Sequence, residues 1–429
     1  MLLLNRGGKR AIDDGVEHVH SEVFLPAFNS IEAMRRLPSD FSPRKLVDPQ
    51  LYLAGLPAEE CDRACGRLAS FPWFGVGGLP HFDSDETGRR DWEAAVRDAV
   101  RGRWPGRPPT GTNVRPAVEA ALQVQLELRA ASLILPAPLI AEREDEGQTA
   151  AEWLDEGIEA ANRLEVEQPI LATVAIDEQA LSDAAFSEGG FLDGIIDLVS
   201  AREGLDGVYI VVAQAGSGHP FETSSRVHRA YLHLVRGFAQ VGSSTIITNF
   251  ADVFGLVALG AGATAMATGA TQSTRRLTLA AFRDNARGAP LPRLYSHSCI
   301  AEFTISGLPR IAAARGLSRI RDVTEYSRAL FDTSGRRLAR PAPAAWAENP
   351  NHTIEAQSHF IARLAIEAQE LGRVRDPQAR RDHVSDWLEG ALASYLLLRE
   401  RMGPTQLRDT GRFPHLEDWL TLFGADDAE

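Results

Sequence analysis

The chain has 429 residues, 44% of them apolar, and a formal net charge of −13. That apolar fraction supports a large core and excludes wholesale disorder, and no run reaches the roughly 18–20 apolar residues of a membrane span. The acidic balance argues against a large nucleic-acid partner, because phosphate neutralisation calls for a basic surface.

The chain opens MLLLNRGGKR, with its basic residues after a very short apolar run, the reverse of a signal peptide. Three cysteines (Cys61, Cys65 and Cys299) form neither a disulfide framework nor a four-cysteine zinc site, which points to a reduced cytoplasm and to no metal or cofactor. Lys9 and Lys45 are the only lysines, so a Schiff base on a late barrel strand is not expected.

In chain order, short apolar runs suggest strands at Val23–Phe28, Leu51–Ala54, Trp73–Val76 and Ser132–Leu135. Asn29 and Ser30 are placed to cap a helix around Ile31–Leu37. Cys61 and Cys65 fall four apart on a helical pattern, Glu59–Leu68, and read as two ordinary thiols. The Pro/Gly/Arg-rich loop Arg101–Asn113 is a solvated connector or a basic patch. From there the repeat is regular: helix Thr149–Leu164, strand Ile170–Ile176, helix Phe191–Arg202, then strands Gly207–Ala213, Thr245–Asn249 and Ala263–Ala267. Eight strands with interposed helices predict a (β/α)8 barrel of the TIM type over residues 1–340, with an open doubly wound sheet as the alternative. The three prolines of Pro341–Pro350 mark a boundary, and two long helical patterns, Thr353–Leu371 and His383–Met402, predict a helical extension over residues 341–429 packed on the barrel.

Active sites of such barrels lie at the C-terminal strand ends. Strand five delivers Asp177, which suits a general base, a nucleophile or an acceptor for a bound base, and equally an N-cap. Gln214 and Asn249, at the ends of strands six and seven, can read the edge of a heterocycle through paired donors and acceptors. Asn29, Thr268 and Asp252 also fall at or just beyond strand ends. The loop Ala215–Pro220, with Gly216, Gly218 and His219, can bring backbone N–H groups to an anion or a planar ring. After strand eight, Gly269–Arg276 could hold a phosphate through Arg275 or Arg276. His297 with Cys299 looks like half of a metal or nucleophile constellation, although a hydrogen-bonded structural histidine is the commoner case.

The order strand, GxxxP loop, helix, strand, short helix, ALGAGAT and strand resembles the C-terminal half of the tRNA-guanine transglycosylase barrel. Leu25–Ile31 (LPAFNSI) is similar to an early strand and loop of that family, and Asn351–Gly372 to its closing His-led helix. The resemblance implies a barrel that binds a guanine or 7-deazaguanine-type base. It also places the family's nucleophilic aspartate at Ala267 or Thr268, and a second catalytic aspartate where this chain has Pro136-Ala-Pro138. Cys299 stands alone where the family has a zinc cluster. The expectation is therefore a transferase with non-standard catalytic residues, Asp177, Asp252 and His219 among them, acting on or docking a protein acceptor rather than tRNA. Divergent members of that family occur beside bacterial antiphage cyclic-oligonucleotide systems, which implies a part in defence. A barrel enzyme for a phosphorylated small molecule and a catalytically inactive complex subunit are the competing expectations.

Overall fold

The computed structural model describes residues 1–6, 19–29, 31–35, 44–76, 99–141, 146–182, 190–215, 224–284, 291–334, 336–414 and 416–424. Eight parallel strands make one sheet: β1 (Leu2–Arg6), β2 (Ser21–Phe24), β3 (Arg44–Val47), β4 (Leu133–Ile134), β5 (Ile170–Asp177), β6 (Gly207–Ala213), β7 (Thr245–Asn249) and β8 (Ala265–Thr268). They run in the order β3-β2-β1-β8-β7-β6-β5-β4. The Ala131 amide donates to the Lys45 carbonyl at 2.8 Å, bringing the approach to β4 against β3. The sheet is thus a nearly closed α/β barrel of the TIM type, as the strand count predicts.

The second half matches its apolar runs closely, since strands buried on both faces carry no polar alternation to blur them. β6 is buried along its whole length. The first half needs correction. Leu51–Leu53 and Pro72–Phe74 are 3-10 turns, not strands. Left-handed Gln50 (φ 53°) precedes the first turn and left-handed Gly75 (φ 71°) closes the second, so neither segment can extend. The strands that replace them are β1, which is the opening apolar run itself, and β3, whose Arg44-Lys45 start resembles surface sequence. Leu3 and Leu4 of β1 pair with Ala267 and Thr268 on one side and with Ser21 and Glu22 on the other.

Amphipathic helices wrap the barrel. Among them, Ser225–Gln240 is capped by the Ser224 hydroxyl, which accepts from Val227 N, and it buries Tyr231, Leu234 and Phe238. The long helices Ile354–Arg373 and Pro377–Met402 contribute Phe360, Leu364, Val384 and Leu388 to the barrel's hydrophobic cluster. A second, smaller core forms beside them around an antiparallel sheet of β9 (Arg293–Ser296), β10 (Ala301–Thr304) and β11 (Gly411–Arg412). It draws on both sides of position 341, for example Phe303, Ile311, Trp346 and Leu398. No helix among the described residues is long and apolar enough to cross a membrane.

Two glycines test the packing in opposite directions. A Cβ on Gly207 would stand 2.0 Å from the Thr245 carbonyl oxygen, where β6 meets β7. Gly207→Ala is expected to cost about 3 kcal/mol or more in urea unfolding, because backbone must move to make room. Gly194, on the exposed face of helix Phe191–Ser200, has open space at that position, and Gly194→Ala should stabilise by roughly 0.5–1 kcal/mol through helix propensity.

Candidate functional site

The barrel interior holds a polar cluster built from four strands. Asp48, immediately after β3, is fully buried, and its Oδ2 accepts from the Tyr52 hydroxyl at 2.6 Å, the Tyr209 hydroxyl of β6 at 3.0 Å and Asn249 Nδ2 of β7 at 3.3 Å. Its Oδ1 accepts from Gln50 N at 2.9 Å. Asn249 also donates to the Tyr209 oxygen, and its own Oδ1 accepts from Asn5 Nδ2 of β1 at 2.7 Å and from Phe250 N at 2.6 Å. Asn5 Nδ2 reaches the Thr274 carbonyl beyond β8 at 2.9 Å. Burial pushes the Asp48 carboxyl up to about 6, against the lowering effect of these donors.

This cluster decides the role of Asn249. Its amide is committed on both sides to barrel groups, so it fixes the strand ends rather than offering an open base-reading edge. Asn29 is likewise committed, donating to the Arg6 carbonyl at 2.7 Å and the Leu25 carbonyl at 3.0 Å. Asp177 ends β5 as predicted, and its Oδ1 accepts from Gln179 N at 2.8 Å, the capping geometry. Gln214 is buried, and its backbone N–H donates to the Leu277 carbonyl at 2.8 Å. Thr268 is fully buried at the end of β8, opposite Leu4 of β1. Gly216, Gly218 and His219 lie outside the described residues. In Gly269–Arg276, Thr271 and Thr274 form a capping box on a single helical turn, Gln272–Arg275.

Asp252 and Arg275 are brought together. Both line a cavity of about 50 Å³ between the ends of β7 and β8, the small sheet and the terminal helices, with Tyr295, Glu302, Phe360 and Trp419 among its walls. Arg275 is ion-paired to Glu302 of β10, and its guanidinium carbon lies 3.5 Å from the centroid of the Phe360 ring. Asp252 occupies the left-handed region (φ 44°) and is buried, and its Oδ1 has no hydrogen-bond partner among the described residues. The Tyr295 hydroxyl and Arg275 Nε are buried without partners in the same way. Burial pushes the Asp252 carboxyl up to about 6, with Arg275 opposing it. Glu302 stays below its ordinary value: burial raises it, but Arg275 lowers it by charge and by hydrogen bond. The cavity therefore presents one satisfied ion pair and one buried carboxylate able to take a proton near neutrality.

His297 and Cys299 do not form a reactive pair. The His297 ring stacks on Trp387 at 4.7 Å and contacts Glu367 at 3.2 Å, and burial, reinforced by Arg363, holds it well below the usual imidazole range. Burial pushes the Cys299 thiol up to about 12, so it is not a nucleophile at neutral pH. Cys61 and Cys65 are buried free thiols, both raised by burial.

Asp48, Tyr209, Tyr295 and Glu302 are absent from the sequence-based selection. Tyr209 carried a signal: a tyrosine inside the run GVYIVVA needs a partner for its hydroxyl once buried. No protein-family model matches this sequence, and no curated protein is similar to it.

Two measurements check this account. Because the Asp48 carboxyl sits higher in the fold than its ordinary 3.8, the proton favours the folded state. Its contribution is greatest below about 4 and is lost as pH rises through about 6. Relative to Asp48→Asn, wild-type unfolding free energy should therefore fall between those values, by up to about 3 kcal/mol, in denaturant titrations across pH. Arg275→Ala leaves Glu302 charged and unpaired and should cost roughly 3–5 kcal/mol, whereas Arg275→Met with Glu302→Leu should recover most of that loss in the same assay.

Proposed function

We propose that this chain is a transglycosylase-like barrel that takes a guanine or 7-deazaguanine-type base and acts on, or docks, a protein acceptor. The observation that carries the reading is the unpartnered Asp252 Oδ1 in an aromatic-walled cavity that Arg275 and Tyr295 also line. A guanine edge offers two N–H donors side by side, which a carboxylate accepts in parallel. Its neighbouring carbonyl calls for a donor, and the Tyr295 hydroxyl, Arg275 Nε and Trp419 Nε1 are buried donors of the cavity without partners among the described residues. Phe254, Phe360 and Trp419 supply ring faces.

The position of Asp252 also bears on the missing nucleophile. The chain carries Ala267 and Thr268 where the resembling family keeps its aspartate. Ala251 N donates to the Ala267 carbonyl at 3.2 Å, so Asp252 is next in sequence to a residue bonded to that very position. A carboxylate lost from β8 is in this reading supplied by the loop after β7. With a carboxyl near 6, Asp252 can act as nucleophile or general base when ionised and as general acid when protonated. The acidic net charge supports a protein acceptor over tRNA, and the defence setting follows from the resemblance alone.

Size sets a condition. A cavity of about 150 Å³ is needed to hold a benzene-sized ring, and this one measures about 50 Å³. Binding therefore requires the cavity walls to move outward. Calorimetric titration with guanine and 7-deazaguanine bases tests the reading. Heat and thermal protection are expected in the wild type, with affinity at least tenfold weaker in Asp252→Asn, or about 1.4 kcal/mol. Affinity should also fall as pH drops below about 6, as the proton removes one of the two acceptor oxygens. No heat and no thermal protection with any of these bases would sink the proposal.

A further inference from the structure

The second core carries a groove of about 760 Å³, separate from the cavity at Asp252. Leu308, Ala312, Ala313, Leu330, Leu338 and Pro343 form much of its apolar floor. Its volume falls within the range of ligand clefts, roughly 300–1,000 Å³, and is enough to seat several side chains at once. Arg336, Arg337 and Arg340 stand exposed on its rim. None of the three forms an ion pair with a described carboxylate. The nearest acid, Asp332, is committed to the turn that carries them: it accepts from the Ser334 hydroxyl at 2.8 Å, Arg336 N at 2.9 Å and Arg337 N at 3.3 Å. The Ser334 hydrogen bond, these backbone donors and the nearby Arg337 charge hold its carboxyl below the ordinary range.

The surrounding charge runs against that of the whole chain. Residues 305–343 contain eight arginines and three carboxylates, a surplus of five positive charges in a protein of net −13. Arginine forks pair with carboxylates bidentately, and an apolar floor beneath them takes aliphatic or aromatic side chains. We propose that this groove docks an acidic peptide segment of a partner protein, with apolar side chains on the floor and carboxylates on Arg336, Arg337 and Arg340. A nucleic-acid backbone fits less well, because it satisfies the arginines and leaves the apolar floor uncovered.

Fluorescence anisotropy with the full chain tests this, using a labelled short peptide in which leucines alternate with glutamates. The controls are the same peptide with serines for leucines and a labelled single-stranded oligouridylate. The leucine–glutamate peptide is expected to bind, and to bind less tightly as salt increases. Binding should weaken tenfold or more in the triple variant Arg336→Glu, Arg337→Glu and Arg340→Glu, and independently in Ala313→Trp, which fills the floor from an exposed position. Melting curves should match the wild type in both, since all four positions are exposed. No binding of the leucine–glutamate peptide, undiminished binding in either variant, equal binding of the serine control, or tighter binding of the oligouridylate overturns the proposal.

Discussion

The ion pair between Arg275 and Glu302 ties the end of the barrel to the small sheet packed against it. Arg275 comes from the turn after β8, Glu302 from the middle of the small sheet, and Phe360, beneath the guanidinium, from a long helix of the extension. Both charges are largely out of water, so each relies chiefly on the other, with Arg293 and Arg412 adding to the field at Glu302 and Asp252 to that at Arg275. That mutual dependence holds the small sheet over the ends of β7 and β8. It also leaves Asp252 in an unusual electrostatic position: the Arg275 guanidinium is already paired with Glu302, whose own charge raises Asp252 further. Burial then outweighs the remaining attraction, and the Asp252 carboxyl rises to about 6 instead of falling as a directly paired carboxylate does.

Asp48 reaches a similar value for a different reason. It accepts hydrogen bonds from Tyr52, Tyr209, Asn249 and the Gln50 backbone, and these lower its carboxyl, yet complete burial inside the barrel raises it further. Every donor around it is a fixed part of a strand or of the turn after β3, so the group cannot reorient toward a ligand without breaking the cluster. Asp252 has an oxygen with no described partner and a cavity in front of it. Two carboxylates with the same raised value thus separate into a lock between strands and a candidate reactive group. Hydrogen-bond accounting distinguishes them where the proton affinity does not.

The same contrast explains what could be read from the sequence. Strands β5 to β8 were legible because each is a short apolar run bounded by helical patterns, and the strand-end rule then picked out Asn249, Asp252 and Arg275. Strands β1 and β3 were not: β1 is the first few residues of the chain and β3 begins with Arg44-Lys45, while LYLA and WFGV carry the apolar look of strands and fold as turns. The partners of the selected residues were beyond reach for a different reason. Asp48 and Asn249 are 201 positions apart, and Arg275 lies in the turn after β8 while Glu302 lies in the small sheet. Only the closed barrel and the sheet packed against it make neighbours of them.

Charge gives the last link between scaffold and use. The bulk figure of −13 speaks against nucleic acid at the level of the whole chain, but it says nothing about where the arginines collect. They collect in the added core, around residues 305–343, and not at the ends of the barrel strands, where Arg275 is already paired. The part of the chain that follows β8 therefore does two separate physical jobs. Through Glu302 and Phe360 it closes the barrel end around Asp252, and through the turn at Asp332 it holds a cationic rim above an apolar groove. The first job builds the walls that raise the Asp252 carboxyl, and the second shapes a groove distinct from that cavity.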